Sequence, residues 1–584
     1  MTVVDTDHLE LLQTRFGARE DLSARVGTGV VLPPEQLLEA ITALRDDCGY
    51  DLLLDIIGID YLAFPGHREA RFAVVYLLRN MQACSRLWLR VPVEEDELEL
   101  SSITQLFRNA DWLEREVYDQ FGVRFHGHPY LRRLLNHQGF QGHPLRKDYP
   151  VQRRQHCDLI DTLIEELHLR LRAKGYEVLH EGSEQQTLKV LRADGVERSL
   201  MTVNMGPSHP ATHGTLRVFP ALDGEEVVAA VCEMGYLHRG FEKMSEQGTY
   251  TQVLPYTDRL NYCSAILNNV AFCRSVEAFF GAEVPERCRL LRIILSELSR
   301  VIDHCVCVGA NLVDVGALTN FWYLFNPREQ VYEILEKLTG ARLTNSFTRI
   351  GGLYRDSYHG FEADVRGVLV SLRTGVDDVL RLIEHNRIFI ERTQDICTVT
   401  ADQAIAWGWT GPCLRASGVD HDLRKLEPYD GYDNFDFETV IGTTGDTFDR
   451  IMVRLYESYE SIRIIEQAVD RLRPGPVNTD DARLALPDKQ HVYHDMESLI
   501  NQFKIIYEGV RPPPGSGYTA TEAANGELGF YIVSDGGTNP YRIKVRPPCL
   551  MQFAAFAEMI EGHQIADVFA SLGSINIIAG ELDR

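Results

Sequence analysis

No C-x-x-C pair occurs among the 12 cysteines, and the two nearest each other, Cys305 and Cys307, are separated by a single residue. Iron-sulfur clusters and structural zinc sites are built on several closely spaced thiolates, so the chain is expected to carry no cluster and no metal of its own. A Walker P-loop and a strand-linked G-x-G-x-x-G are also missing, which leaves flavin and nucleotide binding without support. Basic residues are scarce: 59 Lys and Arg face 84 Asp and Glu, a net charge of -25. Such a surface repels phosphate backbones, and nucleic acid is excluded as a partner. Long apolar runs are lacking too. The nearest approach to a membrane span, Cys305 to Phe325, is interrupted by Asn311, Asp314, Thr319 and Asn320; an acid at mid-span costs about 2.5 to 3.5 kcal/mol. Any membrane contact is expected to come through partners. The opening MTVVDTDHLE has acids where a secretory signal needs a basic and then an apolar run, and the thiols are too dilute for a stapled fold, so a reducing, cytoplasmic setting is expected.

With 584 residues, 45% apolar and 24% charged, the chain has ordinary globular composition and room for several packed units. The first 40 or so residues read as helical. The runs Tyr50 to Phe64 and Arg71 to Leu78 then lead to an alternating stretch, in which Leu87, Leu89, Val91 and Val93 share one face and Arg86 and Arg90 the other. A three-stranded meander with one half-buried strand fits. Trp112 to Gly122 has helical spacing, as does Asp158 to Lys174, and the Gly-punctuated polar stretch after Gly175 reads as a linker. The expected organisation is an N-terminal α+β domain over 1–175, a linker over 176–198, and a mainly α-helical domain with small β-sheets over 199–584. In the last, a hairpin turns at Asp223-Gly224. Asp258 to Phe280, Arg287 to Gly316, Phe361 to Thr393 and Thr447 to Leu472 make a bundle of about four helices. A hairpin near Asp535 and a final helix over Cys549 to Glu561 complete it.

The loop GPSHPATHG presents His209 and His213 four residues apart on a backbone stiffened by Pro207 and Pro210. Two imidazoles without a third ligand make a weak metal site. The alternatives are histidines that satisfy buried backbone groups, or imidazoles that hydrogen-bond and protonate a redox ligand. Asp258, Asp314 and Arg239 lie in helical or apolar surroundings where charges are costly unless paired; they read as salt-bridge partners or as part of a proton or quinone pathway.

The stretches GPSHPATHGTLR, LHRGFEKM, PYTDRLNYCSA and ADVFASLGSINIIAGELDR resemble the 49-kilodalton subunit of respiratory complex I. EREVYDQFGV, from Glu114 to Val123, together with PLRKDYP, resembles its smaller 30-kilodalton subunit. Both lie in one chain and in order, so the whole is similar to the fused C/D subunits of bacterial NADH:quinone oxidoreductases.

That resemblance implies a helical domain related to the large subunit of nickel-iron hydrogenases but without its metal centre. The two cysteine pairs that hold that centre are missing: only Cys263 follows Tyr262, and no cysteine follows Asp567. It implies a quinone headgroup in the vacated cavity, contacted by His213 and Tyr262 with His209 nearby, and Asp258 and Asp314 as acids tied to proton movement. Arg239 would stand beside the terminal iron-sulfur cluster of a small partner subunit. Where many members place a histidine near that cluster, this chain has Thr344, while Arg349, Gly351 and Gly352 keep the rest of the segment. Glu114, Arg115, Glu116 and Asp119 match the signature of the smaller subunit and suggest docking and stabilisation. The expected activity is that of a subunit of a proton-translocating NADH:quinone oxidoreductase, with FMN and the iron-sulfur clusters on partners. Those partners would be the small iron-sulfur, ferredoxin-like and large iron-sulfur subunits and the quinone-channel membrane subunit. The expected place is peripheral, on the cytoplasmic side of the cell inner membrane. A hydrogenase and a purely structural assembly protein are the competing classes. The missing cysteine pairs speak against the first, and dispensability of His213 and Tyr262 would favour the second.

Overall fold

The computed structural model describes residues 4–67, 69–156, 161–181, 187–192 and 195–584. The expected meander is present: Leu52–Asp60, Phe72–Asn80 and Ser85–Val93 pair antiparallel, and Gly29–Val31 and Arg19–Glu20 extend the sheet to five strands. The N-terminal stretch expected to be helical is only partly so. Thr6–Phe16 and, beyond Pro34, Leu37–Asp46 are helices, but between them lie three short strands joined by turns, Arg19–Glu20, Ala24–Val26 and Gly29–Val31. Gly29 pairs beside Trp88 in the sheet, where a Cβ would lie 2.1 Å from the indole nitrogen, so this strand packs there only as glycine.

Helices Leu37–Asp46 and Ala110–Phe121 cover one face of this sheet. Its other face packs on Tyr518, Tyr531 and Val533 of a C-terminal sheet. The strand expected to be half-buried is therefore buried on both sides, and its arginines are paired inside the protein. Arg90 Nε donates to Asp21 at 3.1 Å, Arg79 Nη1 on the neighbouring strand donates to Glu527 at 2.7 Å, and Arg86 pairs with Glu427. Alternation marked the two faces correctly, but a polar face need not be a wet one.

The C-terminal sheet runs in the order Arg542–Arg546, Gly526–Ser534, Gly515–Ala523, and then Ala24–Val26, a parallel strand from the N-terminal region. One apolar cluster joins residues from Val4 to Leu582, so the two regions share a core.

The 176–198 segment expected to be a linker is folded where it is described. Tyr176–Glu181, Thr187–Arg192 and Glu197–Thr202 form an antiparallel sheet with Arg217–Asp223 and Glu226–Glu233. Residues 182–186 and 193–194 lie outside the described ones, as does the 158–160 start of the expected Asp158 to Lys174 helix, which is observed as Leu163–Ala173. Leu188, Val190 and Leu200 face that helix together with Ala229 and Val231. The polar, Gly-rich pattern belongs to strands with one apolar face. The Asp223-Gly224 hairpin is as expected, with Gly224 at φ 67°.

The helical bundle consists of Glu286–Asp314, Leu318–Thr339, Phe361–Ile383 and Thr447–Arg471 around one apolar core. Leu318–Thr339 has no counterpart among the helices expected from the sequence. The long helix expected from Asp258 is instead broken: Tyr250–Thr257 ends at Asp258, and Ala265–Phe280 starts after a turn. Asn261 causes the break, since its extended backbone and its side chain, which accepts from Cys263 N at 3.1 Å, set a new helical start. Likewise Asn386 caps a separate helix, Arg387–Thr393. Pro548–Met559 is followed by Ile565–Ile575 and Ala579–Asp583, so the helix expected to be final is not. Among the described residues no helix is long and apolar enough to cross a membrane. The architecture is an α+β N-terminal region and a larger C-terminal region of mixed α and β content.

Candidate functional site

The histidine loop enters from Met205, bridged to Val218, through Gly206, where a Cβ would lie 2.0 Å from the Leu216 carbonyl oxygen. Pro210–Thr212 form one 3-10 turn, closed by the Thr212 hydroxyl, which donates to the His209 carbonyl at 2.7 Å. His209 Nδ1 accepts from Ala211 N at 3.3 Å, and its ring stacks on Phe569 at 5.7 Å and 6°. His213, in the left-handed region at φ 53°, turns the other way and places Nε2 at 2.5 Å from Asp314 Oδ2. The two histidines are thus committed to different neighbours. Among the described residues no three His, Cys, Asp or Glu side chains gather to hold a metal.

Asp314 is the last residue of Glu286–Asp314, where the helix dipole disfavours a carboxylate and favours a cation. An imidazolium at His213 answers both charges. Both side chains keep some solvent access, 28% and 16%.

Tyr262 opens the turn created by Asn261 and is half-buried against the main apolar cluster. Its hydroxyl makes no hydrogen bond among the described residues. Burial, and then Cys263 and Asp303, push its phenol above the ordinary value, while Arg239 opposes them. Exposed Arg239 donates from Nη2 to the carbonyls of Arg259 at 2.9 Å and Gly580 at 3.4 Å. It has no carboxylate in ion-pair range among the described residues; burial and then Arg259 hold its guanidinium below the ordinary value.

These pieces meet on the short C-terminal segment Ala579–Gly580. A Cβ on Gly214 of the histidine loop would lie 3.2 Å from Ala579 Cβ, and one on Gly580 would lie 3.5 Å from the Tyr262 ring and 2.5 Å from the Arg259 carbonyl oxygen. Only small residues let the loop, the Tyr262 turn and Arg239 close around this segment.

Asp258 is a clamp rather than a salt-bridge partner. It accepts from the Ser346 amide at 3.3 Å and from the Ser346 hydroxyl, tying the end of Tyr250–Thr257 to the loop that carries Thr344. Burial pushes its carboxyl up, and the Ser346 hydrogen bond works the other way. Arg349 donates to the carbonyl of Ser346 and so belongs to the same loop.

The charges of the EREVYDQFG helix point inward, which corrects the expectation that they serve docking to partners. Glu114 accepts from Ile103 N and Ser102 Oγ, each at 2.7 Å, and Asp119 accepts from Arg133 at 2.8 Å and from the Leu135 and Asn136 amides at 2.9 Å. Glu116 pairs with Lys544 and Arg584, and Arg542 Nη1 lies 2.7 Å from Glu242 in the same buried cluster. Burial raises Glu116, but Arg584 and Lys544 more than reverse it and hold the carboxyl down at about 2.

Sequence reading missed Phe569, Ser346, the Ala579–Gly580 floor and buried Asp303. Asp303 accepts from Asn261 at 2.7 Å, Ser264 at 3.0 Å and Asn576 at 2.6 Å directly behind Tyr262. A lone acid in an apolar stretch was the available signal for Asp303. The other three are small or neutral residues with no chemical signature.

The family described as the respiratory-chain NADH dehydrogenase 49 Kd subunit matches residues 314–584, and the 30 Kd subunit family matches 30–155. The chain is 46% identical over 560 residues to the fused C/D subunit of the NADH-quinone oxidoreductase of Bdellovibrio bacteriovorus, covering 96% of each. It is 38% identical over 541 residues to a second such fusion, the C/D 2 subunit of Aquifex aeolicus, covering 91% of each. With the D subunit of the NADH-quinone oxidoreductase of Leptospira biflexa it shares 49% identity over 383 residues, 66% of this chain and 94% of the relative.

Proposed function

The chain belongs to the family of fused C/D subunits of NADH-quinone oxidoreductase, respiratory complex I, and from that premise we propose that the surface around Ala579–Gly580 receives the quinone headgroup. The observation that carries this reading is the Tyr262 hydroxyl: half-buried and beside Arg239, it has no acceptor among the described residues, so a carbonyl oxygen of a ligand can take it. His213 serves the second carbonyl. Because Nε2 is held by Asp314, Nδ1 is the nitrogen left for the ligand, and it donates only as imidazolium. After giving up that proton, His213 remains as the Nε2-H tautomer, still bonded to Asp314. Tyr262 and His213 thus supply two hydrogen bonds to developing negative charge and two protons for a two-proton reduction. His209, stacked on Phe569, shapes the loop and is the less direct contact. Asp258 acts by fixing the loop that carries Thr344.

Electrons arrive from an iron-sulfur cluster on the small partner subunit, which docks on the Arg239 face. Arg239 has no carboxylate in ion-pair range among the described residues and lies near exposed Tyr236. A cation there favours the reduced, more negative cluster. The ferredoxin-like and large iron-sulfur subunits and FMN stand further upstream. Exposed Leu318, Trp322 and Tyr323, which follow Asp314 directly, are covered by the quinone-channel membrane subunit. The chain is thereby peripheral on the cytoplasmic side of the inner membrane and couples quinone reduction to proton translocation. Its helical scaffold is that of a nickel-iron hydrogenase large subunit with the metal centre lost, which fits Cys263 beside Tyr262 and a cysteine-free segment where Ala579–Gly580 closes the site.

The test is NADH oxidation by membranes carrying Tyr262→Phe, with a short-chain quinone and, in parallel, with ferricyanide, which takes electrons upstream. The quinone rate falls and the ferricyanide rate holds if the reading is right. Unchanged quinone rates would overturn it.

A further inference from the structure

Where the signature helix meets the Arg217–Asp223 and Glu226–Glu233 strands, a cavity of about 340 Å³ is lined by Arg115, Arg132, Arg133, Arg217, Asp161 and Glu233, among others. It includes none of the residues assigned to the quinone. Three of its four arginines are already paired: Arg132 with Glu166, Arg133 with Asp119 at 2.8 Å, and Arg217 with Asp161 at 2.9 Å and Glu233 at 3.3 Å. Arg115 is not.

Arg115 is 3% exposed, and no carboxylate lies in ion-pair range of it among the described residues. Its Nε donates to the Arg132 carbonyl at 3.4 Å and its Nη2 to the Arg133 carbonyl at 3.3 Å, and Nη1 has no acceptor among the described residues. The two acids that reach it electrostatically, Glu166 and Asp111, are committed elsewhere: Glu166 to Arg132, and Asp111 to His128 Nε2 at 3.2 Å. A buried guanidinium with long, neutral acceptors and an open cavity beside it is costly unless a counter-charge enters that cavity. Asp161, Glu233, Glu166 and Asp119 all serve the other three arginines, so Arg115 alone is left without an acid, and a guanidinium fork matches two oxygens of one anion.

We propose that this cavity is a binding site for a compact anion, a phosphate or carboxylate group, which supplies the counter-charge that Arg115 lacks. Arg115 engages the anion from the buried side, and Arg217, partly exposed at the mouth, helps to hold it. A ligand that binds the folded chain alone raises its unfolding midpoint in a saturable way.

The test is thermal unfolding of the full-length chain at constant pH and ionic strength, with chloride replaced by inorganic phosphate or, in parallel, by malonate. The wild type shows a saturable rise with at least one of them, and whichever saturates at lower concentration identifies the phosphate or the carboxylate form of the ligand. Arg115→Gln weakens the apparent affinity at least about tenfold, as expected for a lost charged hydrogen bond. Arg217→Gln weakens it several-fold and decides the matter if Arg115→Gln does not fold. Arg15→Gln, at an exposed and distant arginine, leaves the rise intact. No saturable rise with either anion, or an equal rise in the Arg115→Gln and Arg217→Gln chains, would overturn the proposal.

Discussion

Asp314 and His213 are joined by a 2.5 Å contact between a helix C-terminus and a loop 101 residues away in sequence. The carboxylate is badly placed with respect to its own helix dipole and well placed to hold an imidazolium. If the pair acts as one unit, its two members are not additive. Asp314→Asn and His213→Gln each lower the quinone reductase rate about 10 to 100-fold, in the range for a positioned acid. The double variant loses no more than the worse single one. Steady-state rates on membranes, with ferricyanide rates as the assembly control, check this.

Tyr262→Phe tells the proposed role at the quinone from a structural one. Its hydroxyl bonds to nothing in the described chain, so Tyr262→Phe shifts stability by less than about 0.5 kcal/mol. The quinone rate falls about 100-fold or more, since a donor to developing charge is lost. Thermal unfolding and quinone kinetics on the same preparation read the two effects apart.

Arg584 is a keystone of the shared core. Its partner Glu116 sits in a cluster that also holds Lys544, Glu242 and Arg542. Removing one member of a buried ion network costs about 3 to 5 kcal/mol. Arg584→Ala therefore lowers the unfolding midpoint strongly and reduces quinone and ferricyanide rates together, the signature of failed assembly.

Glu114 gives a pH prediction. Burial pushes its carboxyl from 4.5 to about 7, although the Ile103 amide and Ser102 hydroxyl pull the other way. The folded chain then holds a proton that the unfolded chain releases between about pH 4.5 and 7. Stability from this group is fully present below 4.5 and is lost as pH rises through 7. Glu114→Gln, which mimics the protonated acid, removes that loss. Its pH dependence between 5 and 8 is flatter than wild type by about 1 to 3 kcal/mol, measured by denaturant unfolding.

Much of this was legible in the sequence where a motif carried chemistry. His213, Tyr262, Arg239 and Asp314 announce themselves as polar or titratable groups in apolar or Gly/Pro-rich settings, and the meander and the Asp223-Gly224 turn follow from alternation and turn chemistry. What stayed hidden depends on tertiary partners. The polar face of Ser85–Val93 is buried because Glu427 and Glu527, far along the chain, come to meet Arg86. Glu116 of EREVYDQFG faces inward because Lys544 and Arg584 meet it, while Glu114 and Asp119 are held by the neighbouring loops at Ser102–Ile103 and Arg133–Asn136. The segment after Gly175 alternates weakly enough to pass for a linker until Leu163–Ala173 covers Leu188 and Val190. The floor of the site, Ala579–Gly580, is defined by the absence of side chain, which no motif reports.

The most direct measurement is the structure of the assembled oxidoreductase with a short-chain quinone bound. One headgroup oxygen lies about 2.6 to 3.2 Å from the Tyr262 hydroxyl oxygen and the other at similar range from His213 Nδ1, with Nε2 still on Asp314. A headgroup seated elsewhere, with the Tyr262 hydroxyl and His213 Nδ1 both facing solvent, would contradict the account.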